Sequence, residues 1–188
     1  MLVHDQDFLN GLKAPPVLIP ASDIAKRVQE LGAAITAQRT GAPLVILALM
    51  DGAFVFAADL ARYITAPDLR LVFRRASSYR GTVSTGQVAL EAPPELHGAD
   101  VWVVDDILDT GRTLAAAVAA CQVAGAASVR VCVCLDKPSC REPDGLPYAD
   151  LVGFDIPNAF VIGYGLDLDG RFRHLPDVCI LDGPLDAG

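Results

Sequence analysis

Unbroken apolar runs recur along this chain, and each is separated from the next by a segment long enough to form a helix. The clearest run, LVILALM at Leu44–Met50, is typical of a strand whose two faces are both buried. Strands of that kind belong to parallel sheets that carry helices on both faces. Further strands are predicted at 69–73, 101–104 and 129–135. The chain is therefore assigned to the α/β class, with a parallel-sheet core flanked by helices.

The segments between the runs have the three-and-four spacing of amphipathic helices. In the first helix the apolar positions are Ile24, Val28, Leu31 and Ile35, and Ser22 is the predicted N-cap. A later helix is predicted over 113–123 and stopped by the glycine at position 125. The predicted apolar face of the intervening helix consists of Phe54, Ala57, Leu60, Ala61 and Ile64.

Length and composition agree with one domain over residues 1–188. The chain is 52% hydrophobic and 20% charged, which is ample material for a buried core. Its apolar runs are too short to span a bilayer, and MLVHDQDFLN has no signal-peptide pattern, so we expect a cytoplasmic protein without a membrane partner. Five cysteines without paired CxxC spacing are predicted to be reduced core residues, with metal ligation or disulfides as the alternatives.

The net charge of −8 argues against a nucleic-acid surface, because such surfaces depend on clustered Lys and Arg. The same acidity limits how a polyphosphate could bind. Backbone N–H groups and Mg²⁺ would supply positive potential only where phosphates lie. We therefore expect any phosphate chemistry in this protein to depend on Mg²⁺.

Three polar features directly follow apolar runs. These are Asp51-Gly52, Asp105-Asp106 and Lys137. In open parallel sheets, ligands bind at the carboxyl ends of the strands. The three features are therefore predicted to converge on one edge of the sheet.

The turn DTGRT at 109–113 precedes the predicted third helix and has the features of a phosphate site. A helix start offers unpaired backbone N–H groups and the positive end of the helix dipole. Gly111 permits close approach of the backbone to the anion, and Thr110 and Thr113 can donate hydroxyl hydrogen bonds. Arg112 either adds charge or faces solvent.

Three carboxylates lie within five positions at Asp105, Asp106 and Asp109. They can accept hydrogen bonds from ribose hydroxyls or hold the water ligands of a magnesium ion. The alternative is that they cap and solvate an ordinary strand-to-helix loop. Their mutual repulsion favours the first interpretation, since a cation or a hydroxyl-rich ligand would relieve it.

The segment VWVVDDILDTGRTL at 101–114 resembles the phosphoribosyl pyrophosphate (PRPP) motif of type I phosphoribosyltransferases. From about residue 35 to 181 the chain is similar to the hypoxanthine-guanine branch of that family. The other landmarks, in family order, are LALMDGAFVFAADL, SSYRGTVSTG, Lys137 and FVIGYGLDLDGRFRHLPDVCIL. The resemblance implies the type I phosphoribosyltransferase fold, with a small hood built from the N- and C-terminal segments and a flexible hairpin lid.

The resemblance also implies a site on the PRPP side. In this family a non-proline cis peptide, here Met50–Asp51, aims backbone N–H groups at pyrophosphate, whereas an ordinary turn is the alternative. Asp51 stands where relatives often carry Lys or Arg, so its backbone, and not its side chain, is expected to contact pyrophosphate. Ser78 and Tyr79 belong to the lid, for which an inert hairpin is the alternative. The residues implied to bind PRPP are Asp51, Gly52, Ser78, Tyr79, Asp105, Asp106, Thr110, Gly111, Arg112, Thr113 and Arg173.

On the purine side, the resemblance makes the Lys137 ammonium a donor to the exocyclic oxygen of a 6-oxopurine. Phe160 would stack on the base, and Val161 would bond its edge through the backbone. Asp167 would bind magnesium near the base pocket. Asp105 and Asp106 are the other candidate magnesium residues.

The implied activity is transfer of the phosphoribosyl group of PRPP onto hypoxanthine or guanine, with release of pyrophosphate and formation of a purine nucleoside monophosphate. Asp109 would accept the proton of the base as a general base. A xanthine-preferring transferase is the nearer alternative, and an RNA-binding regulator on the same fold is the more distant one. The resemblance further suggests a homo-oligomer, either a dimer or a tetramer.

Overall fold

The computed structural model describes residues 15–75 and 93–181, together with the backbone of a strand pair at 77–78 and 88–89. The elements are, in chain order, β1 (Val17–Ile19), α1 (Ala21–Ala37), β2 (Leu44–Met50), α2 (Phe54–Arg62), β3 (Arg70–Arg75), β4 (Ser77–Ser78), β5 (Val88–Ala89), β6 (Asp100–Leu108), α3 (Arg112–Val123), β7 (Ser128–Asp136), β8 (Leu151–Asp155), β9 (Val161–Ile162) and β10 (Val178–Ile180). Short 3₁₀ turns lie at Pro94–Leu96 and Pro138–Cys140.

The main sheet has five strands in the order β3-β2-β6-β7-β8, and all of its pairings are parallel. Side chains of β2 alternate between two cores: Leu44, Ile46 and Ala48 pack with α1 and α2, whereas Val45 and Leu47 pack with α3. Both faces of the central strands are therefore covered, which explains their unbroken apolar sequence. The predicted fold class is confirmed.

Two predictions about the helices are wrong in detail. Helix α1 begins at Ala21, so Ser22 is inside the helix, and the Ala21 N–H instead donates to Asp177 Oδ1 at 2.7 Å. In α2 the side chain of Phe54 is 53% exposed, because Phe56 and Leu60 occupy the core-facing stripe. Helix α2 also ends before Ile64, although the Ile64 side chain is buried beyond it.

Strand β6 is longer than its apolar run. Pairing with β7 continues past Asp105 to Ile107 and Leu108, and Leu108 is fully buried. The two aspartates therefore lie within the strand, not after it. Their side chains are fixed by the sheet, which makes their position more rigid than that of loop residues.

A separate antiparallel sheet, in the order β1-β10-β9, joins the two ends of the described chain. It consists of the segments from which the hood is predicted, and the hood itself stays a prediction. Strands β4 and β5 pair antiparallel at the base of the predicted lid, whose residues 79–87 lie outside the described part. Among the described residues, none of the helices is long and apolar enough to span a membrane.

Candidate active site

A cleft of about 240 Å³ opens at the carboxyl end of β6. It is smaller than the roughly 300–1,000 Å³ of most small-molecule pockets, so it suits one part of a ligand. The residues that line it are 105–111, 113 and 114. This set includes the acidic pair and the glycine turn that the sequence predicted to form one site.

Gly111 shapes the turn at the start of α3. Its φ is +86°, a left-handed conformation, and an added β-carbon would lie 2.5 Å from the carbonyl oxygen of Leu146. Only glycine meets both requirements. At the helix start, the Arg112 N–H donates a long hydrogen bond to the Thr110 hydroxyl oxygen at 3.5 Å, and the first intrahelical bond runs from the Ala115 N–H to the Gly111 carbonyl. The other N–H groups of the first turn are therefore available to an anion.

The carboxyls of Asp105 and Asp106 are held close together beside this turn. Asp105 Oδ1 accepts a hydrogen bond from the Asp106 N–H at 3.0 Å. Burial, followed by the charge of Asp106, raises the pKa of Asp105 well above the usual aspartate range, and burial also raises the pKa of Asp106. Ionising both is unfavourable in the unliganded protein. A cation, or hydroxyl groups that donate to these oxygens, would relieve that cost.

Lys137 forms an ion pair with Asp109, which lines the cleft. The Lys137 Nζ lies 3.4 Å from Asp109 Oδ2, and Lys137 is only 7% exposed. The Asp109 side chain is 45% exposed and so remains accessible to a ligand. A buried ammonium thus lies beside an accessible carboxylate, each on a turn that follows a strand of the main sheet.

The segment that follows Lys137 braces the glycine turn. The Glu142 N–H donates to the Thr110 carbonyl at 3.1 Å, and the Leu146 N–H donates to the Gly111 carbonyl at 3.0 Å. Sequence reasoning missed this segment, because it has neither periodicity nor a recognisable motif. Its prolines and glycines indicate only a loop.

Arg112, predicted to bind phosphate, turns its guanidinium outward to the same segment. It pairs with Glu142 at 2.5 Å and with Asp144 at 3.2 Å, and its side chain is 49% exposed. These carboxylates, Asp144 first, raise the pKa of the Arg112 guanidinium. Its backbone N–H, at the helix start, donates to the Thr110 hydroxyl oxygen at 3.5 Å, so the Arg112 guanidinium and N–H both have partners within the protein.

A second group of predicted residues gathers around Gly52. A β-carbon on Gly52 would overlap the Asp106 carboxylate, and one on Gly165 would overlap the Gly52 carbonyl. Arg173 donates to the Gly165 carbonyl at 2.6 Å and pairs with Asp167 at 2.8 Å. The charge of Arg173 also acts to lower the pKa of Asp106, against the larger effect of burial. The structure therefore brings Gly52, Asp106, Asp167 and Arg173 into one connected cluster.

The loop that carries Asp167 and Arg173 has an unusual backbone. Tyr164, Asp169 and Phe172 all have positive φ values, of 49°, 52° and 75°. Residues other than glycine rarely adopt this region, and such conformations persist only where surrounding contacts enforce them. Here the Tyr164 hydroxyl donates to Asp59 Oδ2 at 3.0 Å, which fastens the loop to α2.

The Met50–Asp51 peptide bond is cis, as the resemblance implies. The Asp51 carboxylate accepts from Arg75 at 2.6 Å and 3.0 Å and is partly exposed. Its side chain is thus engaged by Arg75, a residue that sequence reasoning did not single out. This leaves the backbone of Asp51 and Gly52 for a ligand.

Phe160 and Val161 lie at the small sheet. The Phe160 side chain is 51% exposed, and Val161 is buried in the same core cluster as Leu135. The Leu181 N–H donates to the Phe160 carbonyl, and the Ile180 N–H donates to Pro16. In an antiparallel ladder this makes Val161 and Ile180 a non-hydrogen-bonded pair, so the peptide groups of Val161 face away from β10.

Two residues of the predicted lid, Ser78 and Tyr79, have no described side-chain position. Ser78 is described only as a β4 residue paired with Val88, and Tyr79 lies outside the described residues.

Within the described ranges, no three His, Cys, Asp or Glu side chains are grouped closely enough to hold a metal ion by themselves. Asp105, Asp106 and Asp167 are thus not a preformed metal cage, and any ion there would need ligands from the substrate or water.

The sequence profile of the phosphoribosyl transferase domain matches residues 20–169. The hypoxanthine phosphoribosyltransferase of Salmonella typhimurium is 40% identical over 167 residues, which cover 86% of this chain and 92% of that protein. The hypoxanthine-guanine phosphoribosyltransferase of Bacillus subtilis is 39% identical over 168 residues, with 88% and 92% covered.

The fold comparison agrees. A crystal structure of a hypoxanthine-guanine phosphoribosyltransferase from Bacillus anthracis superimposes with a TM-score of 0.78. It is 35% identical, and the match covers 88% of this chain and 96% of that one. The similarity therefore extends over nearly the whole length of each relative.

Proposed function

This chain belongs to the phosphoribosyltransferase family, and from that premise we propose that it transfers the phosphoribosyl group of PRPP onto hypoxanthine or guanine. The products are inosine or guanosine monophosphate and pyrophosphate. The observation that carries the proposal is the cleft at the end of β6, where the N–H groups of a helix start lie beside two carboxylates of raised pKa. A phosphate and a ribose diol together satisfy both features.

The 5′-phosphate binds the turn at 110–113. The Gly111 conformation lets the oxygens reach the backbone, and the α3 dipole supplies positive potential without net charge. Thr110 and Thr113, both lining the cleft, add hydroxyl donors. This arrangement reconciles phosphate binding with a net charge of −8. The ribose hydroxyls donate to Asp105 and Asp106.

The purine binds between Lys137 and the small sheet. The Lys137 ammonium donates to the oxygen at position 6, and its burial makes an unmatched donor costly. Adenine, which carries an amino group at that position, would meet donor with donor, so it is excluded. The exposed ring of Phe160 is free to stack on the base, and the outward peptide groups of Val161 bond its edge.

Asp109 is the general base. Its carboxylate is accessible and lies 3.4 Å from the Lys137 Nζ, so a purine held by Lys137 has this carboxylate within reach of its imidazole edge. As the new bond to the anomeric carbon forms, Asp109 accepts the proton of the base. Neighbouring Lys137, paired with this carboxylate, orients it for the step.

Pyrophosphate leaves toward the cluster around Gly52. Backbone N–H groups of Asp51 and Gly52 and the Arg173 guanidinium are the donors on this side. Arg173 is bonded to Gly165 and Asp167, so its fork is oriented before the substrate arrives. Such preorganised donors stabilise charge that develops on the leaving group.

The donor set fits Mg²⁺. Carboxylate oxygens are the ligands that this ion prefers, and it usually takes one or two of them together with substrate oxygens and water. Asp105 and Asp106, whose pKa burial raises, and Asp167 beside Arg173 would hold it. When bound, the ion would neutralise the charge of the departing pyrophosphate.

The proposal extends to the cellular compartment and the oligomeric state of the protein. All five cysteines are free, and four of them are buried, as expected for a reducing compartment such as the cytoplasm. We place the enzyme there, as a homo-oligomer of one domain per chain. Size-exclusion chromatography with light scattering tests the assembly.

One assay tests the activity. Purified protein, PRPP and Mg²⁺ are incubated with hypoxanthine, guanine, xanthine or adenine, and nucleotide formation is followed by chromatography. Inosine and guanosine monophosphate are the expected products. Turnover with xanthine alone would assign the other purine preference, and no turnover together with salt-sensitive RNA binding would replace the enzyme by a regulator.

A further inference from the structure

Arg141 belongs to none of the sequence motifs, yet its guanidinium makes several contacts near the cleft. The two N–H groups of its Nη1 are shared among three main-chain carbonyls, those of Leu108 at 3.0 Å, Asp109 at 2.6 Å and Lys137 at 3.0 Å. Its Nε donates to the Pro147 carbonyl at 3.1 Å, and its Nη2 pairs with Asp136. One guanidinium thus joins the turn after β6, the turn after β7 and the segment that follows.

From these contacts we infer that Arg141 is a positioning residue for the transfer reaction, which sets the Asp109 carboxylate and the Lys137 ammonium at their working separation. The inference rests on the proposed function. Arg141 itself is directed at main-chain oxygens and at Asp136, so it acts through the two residues whose backbones it holds.

The chemistry of the group explains why an arginine stands here. Carbonyl oxygens of two different turns point at one place. The Lys137 N–H also donates to the Leu108 carbonyl and the Cys140 N–H to the Lys137 carbonyl, and the guanidinium adds a cation where the three oxygens converge. A guanidinium offers five donors in a rigid plane and keeps its charge when partly buried. Only 16% of the Arg141 side chain is exposed, and the charge is balanced by Asp136, itself 7% exposed. A lysine has three donors on a flexible stem and could not hold all of these acceptors.

The phosphate turn has its own fastenings, which separate the two roles. The carbonyls of Thr110 and Gly111 are held by the N–H groups of Glu142 and Leu146, not by Arg141. Loss of Arg141 should therefore disturb Asp109 and Lys137 while the PRPP side stays largely in place. That selectivity distinguishes positioning from a general structural role.

The test compares Arg141→Lys with Arg27→Lys. Arg27 is a matched control because its guanidinium also donates to two main-chain carbonyls, of Val152 and Gly153, and pairs with one carboxylate, Glu30, away from the cleft. Activity is normalised to PRPP-binding sites counted by calorimetry, which removes any fraction that fails to fold. Arg141→Lys keeps a charge opposite Asp136, so it is preferred to a neutral variant.

For Arg141→Lys we expect kcat/KM for hypoxanthine to fall about 100-fold, since displacement of reacting groups by about 1 Å has effects of that size. The KM for hypoxanthine should rise and kcat should fall, whereas PRPP affinity stays close to that of the wild type. Arg27→Lys should retain wild-type kinetics. Equal kinetics in the two variants would overturn the inference.

A double-mutant cycle supplies the second readout. If Arg141 acts through Asp109, the Arg141→Lys effect on kcat should shrink several-fold in an Asp109→Asn background, because residues that act as a unit are not additive. Full additivity would overturn the positioning role. A wild-type protein that makes no purine nucleotide would instead reject the proposed function, whatever the variants do.

Discussion

Strand β6 begins at Asp100 and reaches Asp105 and Asp106 before its end, and these carboxylates have different surroundings. Asp100, 1% exposed, accepts hydrogen bonds from the Thr40 hydroxyl at 2.5 Å, the Thr40 N–H at 3.1 Å and the Ser128 hydroxyl at 2.6 Å. Burial alone would raise the pKa of Asp100, but these hydrogen bonds hold it below the usual value. At the other end, burial and mutual repulsion keep the pKa of Asp105 raised.

The contrast separates structural acid groups from functional ones on a single strand. A buried carboxylate whose partners come from the protein stabilises the fold. A pair without sufficient partners lowers stability until a ligand or cation supplies them, which is typical of functional sites. The amino end of β6 therefore fastens the sheet, whereas the carboxyl end carries the acidic pair that we propose as the ribose site of PRPP.

The largest effect should come from Asp109→Asn at the functional end. Removing a general base lowers kcat about 100-fold or more, while PRPP still binds, because the amide keeps the shape of the turn. Steady-state kinetics and PRPP calorimetry measure both quantities. Asp155→Asn, at the exposed end of β8 on the same sheet edge, is the control and should be silent. Unchanged turnover in Asp109→Asn would remove Asp109 from the mechanism.

Gly111→Ala should come next. The positive φ and the close Leu146 carbonyl force the turn to move, so we expect the KM for PRPP to rise roughly tenfold, corresponding to about 1.4 kcal/mol. Gly98, at the opposite end of the sheet, also has a positive φ of 70°, but a β-carbon added there would meet no described atom within 4 Å. Gly98→Ala therefore carries the same backbone cost without the clash. Equal PRPP kinetics in both variants would show that the shape of the turn is irrelevant to binding.

Asp100→Ala should affect stability alone. It leaves the donors of Thr40 and Ser128 unpaired, at a cost of about 2–3 kcal/mol in the free energy of unfolding. Urea denaturation measures the loss, and kcat per folded molecule should not change. A fall in kcat without a fall in stability would contradict the division between the two ends of β6.

The smallest effect should be a gain. Because the folded pKa of Asp105 is raised, its ionisation opposes folding, and that cost grows as pH rises from the ordinary aspartate range up to the raised folded value. Asp105→Asn should therefore raise the Tm of the unliganded protein by a few degrees at pH 8, and the gain should vanish as pH falls toward the ordinary aspartate range. Asp100 has a lowered pKa, so its stabilisation is present above the unfolded value and is lost only as pH falls through the folded one. Thermal scans from pH 4 to 8 on Asp105→Asn and Asp100→Ala should therefore give Tm differences from the wild type that are opposite in sign.

The sequence allowed the sheet and the core of the site to be predicted because the signals are local. Leu44–Met50 is buried on both faces and is unbroken in sequence, and Gly111 lies at the predicted helix start with the conformation that its type permits. The true ends of β6 were not predictable from its apolar run, since its last residues are held by pairing with β7. The face of α2 was set by Phe56 and Leu60, which compete with Phe54 for the same core.

The remaining features depend on contacts between residues that are distant in sequence, so they could not be predicted. Asp100 and Asp105 look alike in sequence, and only contacts such as that with Thr40, which is 60 positions away from Asp100, make the first a structural residue. Arg141 likewise has no motif, because its acceptors are main-chain oxygens that any residue type would supply. Side chains that recognise backbone leave no compositional trace at the positions they contact.

A crystal structure of the protein with guanosine monophosphate tests the central claim most directly. The phosphate should accept hydrogen bonds from main-chain N–H groups of the turn at 110–113, with the ribose hydroxyls on Asp105 and Asp106. A phosphate bound elsewhere, with those N–H groups left to solvent, would contradict the assignment of the α3 helix start as the phosphate site.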